Sequence, residues 1–286
     1  MKNQIPTLDL LDVDIQSKLI QSLSKTGFAV IVGHKIPESD FKAMYESWEG
    51  FFQHPTYKQR FLFNKQTQFG FFPMRSETAK GAKVSDLKEF YHFFGNQKQE
   101  LPPLPLKLND VTRSVFTELE SLAVRLLNFI EMRTPKECNT CDRPWSEAVN
   151  GSMNTLLRIL HYPPLDPANL EGDAVRAAAH EDINFLTLLP AATSPGLQVQ
   201  DRDGVWHDVS ITEPNSIIVN VGDMLQEASG GFFKSTTHRV VNPEGSANVA
   251  RYSMPLFLHA APNTRLSPRY TAQEYLMERL KELGLI

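Results

Sequence analysis

Three residues in the second half of the chain have the types and spacing to hold a metal ion. In His180-Glu181-Asp182 an imidazole and a carboxylate stand two positions apart, and side chains at i and i+2 project to one side only when the backbone is extended. A second imidazole, His238, stands in Thr236-Thr237-His238-Arg239-Val240-Val241, a stretch with strand composition. Two imidazoles and one carboxylate make the 2-His-1-carboxylate set that leaves one face of iron(II) open to further ligands and oxygen. Alone, the pattern also fits histidines satisfied in a core or at a surface. A second feature accompanies it in Arg251-Tyr252-Ser253. There Arg251 and Ser253 share one face of a strand and can jointly hold a carboxylate, by a charge-assisted pair and a hydroxyl donor. A buried guanidinium without an anion is costly, and no acidic residue lies close to Arg251 in sequence. Either a ligand carboxylate or a distant Asp or Glu has to fill that place.

The elements that must position these residues follow from the pattern. From Met153 onward, short β-rich runs alternate with turn residues at 155–162, 184–189, 197–200, 205–209, 216–221, 236–241 and 251–258, a spacing that predicts an all-β sandwich or jelly roll. Leu197 and Val199 alternate with Gln198 and Gln200, and Asp203-Gly204 supplies turn chemistry before Val205, which predicts a hairpin. The first half reads as helices wrapped around a few strands. Ile15, Leu19 and Leu23 mark a helix stopped by Gly27, and a buried strand over 28–32 follows it. Further helices are expected near 39–52 and, with the stripe Leu119, Leu122, Leu126 and Phe129, ahead of Pro135. A last helix opens on the capping-box pair Thr271 and Glu274, buries Leu276, Leu280 and Leu283, and stops at Gly284. The expectation is an α+β chain with a mainly β core, forming one compact domain over 1–286.

The order His180-x-Asp182, His238-Arg239-Val240, Arg251-x-Ser253 resembles the isopenicillin N synthase-like family of iron(II)/2-oxoglutarate-dependent oxygenases. The resemblance covers nearly the whole chain. It includes Ile5 to Asp9, Gly27 to Pro37 and Asp86-Leu87-Lys88-Glu89 in an N-terminal family region over 1–110. Tyr162-Pro163-Pro164, Leu186-Thr187-Leu188-Leu189, Gly196-Leu197-Gln198-Val199, Val219 to Leu225 and Lys234 to Val240 fall in a core over 153–260. It implies a double-stranded β-helix in which His180, Asp182 and His238 bind Fe(II). 2-Oxoglutarate would chelate the iron as cosubstrate, O2 would be the oxidant, and Arg251, Ser253 and Tyr162 would hold the distal carboxylate. Plant members often carry Asn two positions before this tyrosine, where this chain has Leu160, so that contact is absent or replaced. His238 and Arg251 are separated by 13 positions (251 − 238), longer than usual in the family, and 242–248 is rich enough in turn formers to be a lengthened hairpin. By the same resemblance, the stretch 68–75 lines the substrate space, with Phe72 as an apolar wall and Arg75 as an acid-binding group. His92 and Arg158 lie in strands near the site.

Composition sets limits on the alternatives. The chain has 286 residues with 29 Lys plus Arg against 33 Asp plus Glu, a net charge of −4 without any run of like charge. Nucleic-acid binding and polybasic membrane contact have little to stand on. No apolar stretch approaches the ~20 residues of a membrane span, and Met1 to Pro6 carries no apolar signal core, so a cytoplasmic protein acting on a small molecule is expected. Cys138 and Cys141 have the spacing of a thiol pair, but no second pair follows, and they read as a loop with two thiols. His34, His54, His161, His207 and His259 have no partner pattern and read as structural or exposed. Phosphate-binding, dinucleotide, zinc-peptidase and serine-hydrolase motifs are missing. Two other readings compete. One is an iron oxidase of the isopenicillin N synthase type, which uses no 2-oxoglutarate and holds its substrate's carboxylate with the Arg-x-Ser pair. The other is a jelly-roll protein that binds a small acid without turnover.

Overall fold

The computed structural model describes residues 5–78, 84–103, 107–165, 175–209, 213, 215–242 and 248–282. The apolar spacing of Ile15, Leu19 and Leu23 produces α1 (Ile15–Thr26), which buries these residues and ends at Gly27. That glycine takes a left-handed φ of 71° and donates its N–H to the Leu23 carbonyl at 2.9 Å. Around it come β1 (Thr7–Asp9), β2 (Phe28–Val32), α2 (Glu38–Phe52), α3 (Pro55–Arg60), β3 (Gly70–Phe72), β4 (Glu89–Phe93), α4 (Leu108–Arg133) and α5 (Trp145–Val149). The second half supplies β5 (Leu156–Tyr162), β6 (Ala177–His180), β7 (Leu186–Pro190), β8 (Leu197–Gln200), β9 (Trp206–Asp208) and β10 (Ile217–Val221). It closes with α6 (Asp223–Ala228), β11 (His238–Val240), β12 (Arg251–Ser253), β13 (Leu256–Leu258) and α7 (Ala272–Glu282).

The strands form two sheets. The larger runs β1-β2-β10-β7-β13-β5-β4-β3, with β12 also paired to β5, and the smaller runs β6-β11-β8-β9. Strand alternation gives the larger sheet two apolar faces. Ala29 and Ile31, Leu186 and Leu188, Val219 and Val221, Tyr91 and Phe93, and Leu157 and Ile159 join the residues of α1, α2 and α4 in an outer core. Phe28, Val30, Phe90, Leu160, Tyr162 and Ile218 point the other way and meet Ala177, Leu197, Val199 and Val240 of the smaller sheet in an inner core. The result is the jelly-roll arrangement with flanking helices, and the inner faces of both sheets carry the residues of the sequence motifs.

Several boundaries differ from the sequence expectation for identifiable reasons. The run 251–258 is two strands, because Met254-Pro255 interrupts it and the Pro255 carbonyl accepts from Arg158 N at 3.0 Å. The last helix opens on the expected capping box: Thr271 N donates to Glu274 Oε2 at 2.8 Å and Glu274 N to Thr271 Oγ1 at 3.2 Å. Its buried residues are Ala272 and Tyr275, however, with Leu276 and Leu280 only half-buried. The aromatic residue, one position before the expected stripe, sets the docking face. Leu283, Gly284 and residues 243–247 lie outside the described residues, and the expected hairpin over 242–248 does not form as such, because β11 joins the smaller sheet while β12 pairs with β5 in the larger one.

One close approach ties the start of α6 to the turn that carries the metal-ligand motif. Gly222 N donates to Phe185 O at 3.1 Å, Asp223 N to Asp182 O at 2.7 Å and Met224 N to Asn184 O at 3.1 Å. A Cβ on Gly222 would stand 2.2 Å from the Asn184 carbonyl oxygen. Gly222→Ala is therefore expected to destabilise the fold by on the order of 1–3 kcal/mol, the cost of forcing extra volume into a packed interior. Denaturant unfolding of the purified variant measures this loss.

Candidate active site

β6 and β11 pair so that His180 and His238 lie directly opposite each other, with ring centroids 4.4 Å apart. Each imidazole is turned by its own backbone: His180 Nδ1 donates to Ala178 O at 2.8 Å and His238 Nδ1 to Thr236 O at 3.1 Å. A carbonyl only accepts, so the proton sits on Nδ1 and the Nε2 lone pairs face inward. Both Nε2 atoms face the same carboxylate oxygen, Asp182 Oδ1, at 3.9 Å and 3.8 Å. The donor atoms of His180, Asp182 and His238 all lie within 4.8 Å of one another, and among the described residues no other such cluster of three forms.

The second carboxylate oxygen is engaged from behind. Asp182 Oδ2 accepts from Thr187 Oγ1 and, at 2.8 Å, from Asn220 Nδ2, while Asn184 Nδ2 donates to Thr187 Oγ1 at 2.9 Å. The Thr187 hydroxyl thus receives one bond and gives one, which fixes its direction. Burial alone would raise the Asp182 carboxyl, but His238, His180, Thr187 and Asn220 together hold it below the usual carboxylate range. His180 is pulled down by burial and by His238. A preorganised anion beside an imidazole held toward its neutral form suits a divalent cation. The three sites differ in depth: the side chain of His180 is 37% exposed, against 10% for His238 and 6% for Asp182.

Arg251 lies opposite Tyr162 across β12 and β5, and its guanidinium carbon is 5.2 Å from the Tyr162 ring. It is 2% exposed. Its Nε donates to Ser194 O at 3.0 Å, but Nη1 is buried without a partner. Among the described residues no carboxylate pairs with it, and burial lowers its pKa while Tyr162 and Tyr45 oppose that shift. Ser253, also buried, shares its strand face. A buried cation with a free donor beside a hydroxyl fits a ligand carboxylate.

His92 and Arg158 also face each other across a strand pair, β4 and β5. They are held by each other: Arg158 Nε donates to His92 Nε2 at 2.9 Å, and His92 Nδ1 donates to Gln68 O at 2.9 Å. The rest of the Arg158 fork grips Glu77 at 3.1 and 3.0 Å. Lys88 Nζ reaches Glu77 at 3.1 Å and Asp86 at 2.7 Å, so two cations and two anions cancel. Burial would raise the Glu77 carboxyl, yet Arg158 and Lys88 hold it far below the usual range. Phe72 stacks on Phe63, at 4.1 Å, and on Phe90, at 4.6 Å, and the Arg158 guanidinium carbon lies 4.6 Å from the Phe90 ring. The His92 ring lies 4.5 Å from Phe72 as well, and Phe72 is buried within this cluster. Arg75 is exposed at a left-handed turn with φ 64°.

The remaining histidines take structural partners or bury. His161 pairs with Glu89 at 2.8 Å, His207 with Asp201 at 2.6 Å, and His54 stacks on Tyr57 at 4.2 Å. His34 packs edge-on against Phe41. His259 donates to Phe257 O, and burial pulls its pKa down to about 4. Cys138 and Cys141 are free thiols. A wide cavity of about 1420 Å³ opens beside the smaller sheet, lined among others by Thr7, Gly27, Val199, Trp206, Thr236 and Thr237, and none of the three cluster residues lines it. Sequence reasoning assigned no role to Thr187, Asn220, Glu77, Lys88 or Arg176. For Asn220 a signal existed, since an amide inside Ile217-Ile218-Val219-Asn220-Val221 must find a partner once the strand is buried.

Comparison with known proteins points one way. Residues 153–260 match the 2OG-Fe(II) oxygenase superfamily, and residues 5–111 match the N-terminal region of the non-haem dioxygenases of morphine synthesis. Proline hydroxylase buaE from Petromyces alliaceus is 29% identical over 265 residues, 84% of this chain and 79% of that protein. The crystal structure of a protein described as an oxygenase from Shewanella oneidensis superposes with a TM-score of 0.84 at 45% identity, covering 99% of this chain and 100% of the other. A Caulobacter crescentus protein assigned to the 2OG-Fe(II) oxygenase family gives a TM-score of 0.76 at 30% identity, over 97% and 98%.

Two outcomes follow from the site's hydrogen bonds and burial. Asn220→Leu keeps the branched side-chain skeleton but removes one donor to Asp182 Oδ2, so divalent-metal affinity should drop roughly 10–100-fold, read by calorimetric titration of the metal-free protein. For His259 the folded pKa of about 4 lies below the ordinary 6.5. Between these values the unfolded chain binds the extra proton, so stability should decline as pH falls from 6.5 toward 4. His92, also pushed well down by burial, adds to the same decline. Denaturant unfolding across this pH range should give a shallower slope for His259→Asn.

Proposed function

The chain belongs to the 2OG-Fe(II) oxygenase superfamily and is a non-haem Fe(II)/2-oxoglutarate-dependent oxygenase; on that premise we propose that His180, Asp182 and His238 hold the iron, and that Arg251, Ser253 and Tyr162 hold the distal carboxylate of 2-oxoglutarate in hydroxylating a small organic substrate. The observation that carries this reading is the convergence of both imidazole Nε2 atoms on Asp182 Oδ1. Bound iron(II) would supply the redox chemistry by which O2 gives one oxygen atom to succinate, as 2-oxoglutarate loses CO2, and the other to the substrate.

The chain's own residues set the conditions. Thr187 and Asn220 keep one oxygen of Asp182 occupied, so the carboxylate offers the other as a single ligand. The backbone carbonyls of Ala178 and Thr236 hold the imidazoles in the ligating tautomer. Arg251 contributes its partnerless Nη1 and Ser253 a hydroxyl, so the cosubstrate is oriented from its far end. Phe28, Val30, Leu160 and Val240 form apolar walls that limit water around the reacting groups. We assign Phe72, with His92 and Arg158, to the substrate side. Arg75 at the exposed turn would meet the substrate from outside. No helix among the described residues is long and apolar enough to cross a membrane. The oxidase reading, in which Arg251 holds a substrate carboxylate, is not favoured, since the similar proteins carry hydroxylase and 2-oxoglutarate oxygenase names.

The test is a substrate screen that reads succinate formed from 2-oxoglutarate with iron(II) under air. Alanine at His180, Asp182 or His238 should abolish this signal while leaving the circular dichroism spectrum unchanged; near-wild-type turnover in any of the three would remove that residue from the metal site. Arg251→Lys keeps charge but loses the two-pronged donor, so the KM for 2-oxoglutarate should rise about tenfold or more. Turnover with no need for 2-oxoglutarate would assign Arg251 to the substrate instead.

A further inference from the structure

Arg251 is not the only buried cation beside Tyr162. Arg176, immediately before β6, is 1% exposed and ranks with Arg251 among the largest fully buried side chains. Its guanidinium carbon lies 6.0 Å from the Tyr162 ring, and that of Arg251 lies 5.2 Å from it. Arg176 Nη2 donates to Val249 O at 2.6 Å, two residues before Arg251, and its backbone N–H donates to Asn242 Oδ1 at 3.0 Å. Its Nε, like Arg251 Nη1, is buried with no partner. Among the described residues no carboxylate pairs with either guanidinium.

Two like charges buried together without an anion are unfavourable twice over, through lost hydration and mutual repulsion. The contrast within the same fold is the quartet of Glu77, Asp86, Lys88 and Arg158, where every buried charge is cancelled. Burial and then the neighbouring Arg251 pull the Arg176 pKa down, the direction expected for a cation that lacks its counter-ion. An anion placed between the two donors would turn both costs into attraction.

We propose that Arg176 is a second guanidinium of the carboxylate site, which makes that site selective for a 2-oxo acid whose far end is charged. The inference rests on the assignment of Arg251 given above. Two guanidiniums and the Ser253 hydroxyl surround one carboxylate, whereas a methyl in its place would leave both cations uncompensated.

Anaerobic calorimetric titration of the iron(II)-loaded protein tests this directly, with 2-oxoglutarate and with 2-oxopentanoate, which has the same chain length but a methyl end. Arg176→Gln should bind 2-oxoglutarate roughly tenfold or more weakly, the loss of a charge-assisted bond, and should bind 2-oxopentanoate as the wild type does. Arg176→Lys, which restores the charge, should recover part of the loss. Unchanged affinity for 2-oxoglutarate in Arg176→Gln overturns the proposal, and so does an equal loss for both ligands, which would mean that Arg176 only supports the loop at Val249. Arg251→Gln serves as the parallel arm. If that variant keeps full affinity for 2-oxoglutarate, the assignment of Arg251 itself fails, whatever Arg176 does.

Discussion

The larger sheet is buried on both faces, and the polar side chains it turns toward the site follow from how its strands meet that constraint. One set of alternate residues has to satisfy helices, and apolar side chains do so. The other set looks into the space between the sheets, where polar groups are tolerated only when another group answers them. On β10 this means Val219 and Val221 outward and Ile218 and Asn220 inward; on β12 it means Tyr252 outward and Arg251 and Ser253 inward. A shift of one residue in either strand would send the functional side chains into the helical layer.

Charge is buried in this interior in three different ways. Asp182 is stabilised by neutral donors from two strands and by imidazoles from the facing sheet. The Glu77, Asp86, Lys88 and Arg158 quartet is stabilised by its own opposite charges. Arg251 and Arg176 are stabilised by nothing charged among the described residues, so their part of the interior suits an anion that no described residue supplies. The contrast is between charges answered inside the fold and the two guanidiniums proposed to meet a ligand; Arg158 and His92, assigned to the substrate side, are held in place by their own partners.

Much of this was legible in the sequence. The metal-ligand pattern needed only the i, i+2 spacing of an extended strand and one distant histidine, and the Arg-x-Ser pair needed the same rule. The capping box at Thr271 and Glu274 and the glycine stop at Gly27 are local signals, and they were readable because local chemistry decides them. The partners of Asp182 were not readable, because Thr187 and Asn220 reach it from different strands whose order in the sheet, β10-β7, is set by tertiary pairing. Glu77 and Arg176 were hidden for a similar reason: Glu77 lies in the loop after β3 and Arg176 just ahead of β6, and each side chain is defined by what packs over it. The buried face of the last helix was displaced by one residue because Tyr275 and its ring partner Tyr270, with centroids 5.3 Å apart, outweigh the leucine periodicity.

The uneven depth of the three ligands carries a kinetic meaning. His238 and Asp182 are enclosed, whereas the side chain of His180 remains 37% open to solvent. Ligand exchange at a metal proceeds one bond at a time, and the bond that water reaches first is the first to be replaced. Loading and loss of iron would therefore run past His180, with the enclosed pair serving as the seat and the rim histidine as the latch. A centre built this way would be emptied and refilled from its open side, without unfolding the sheets around it.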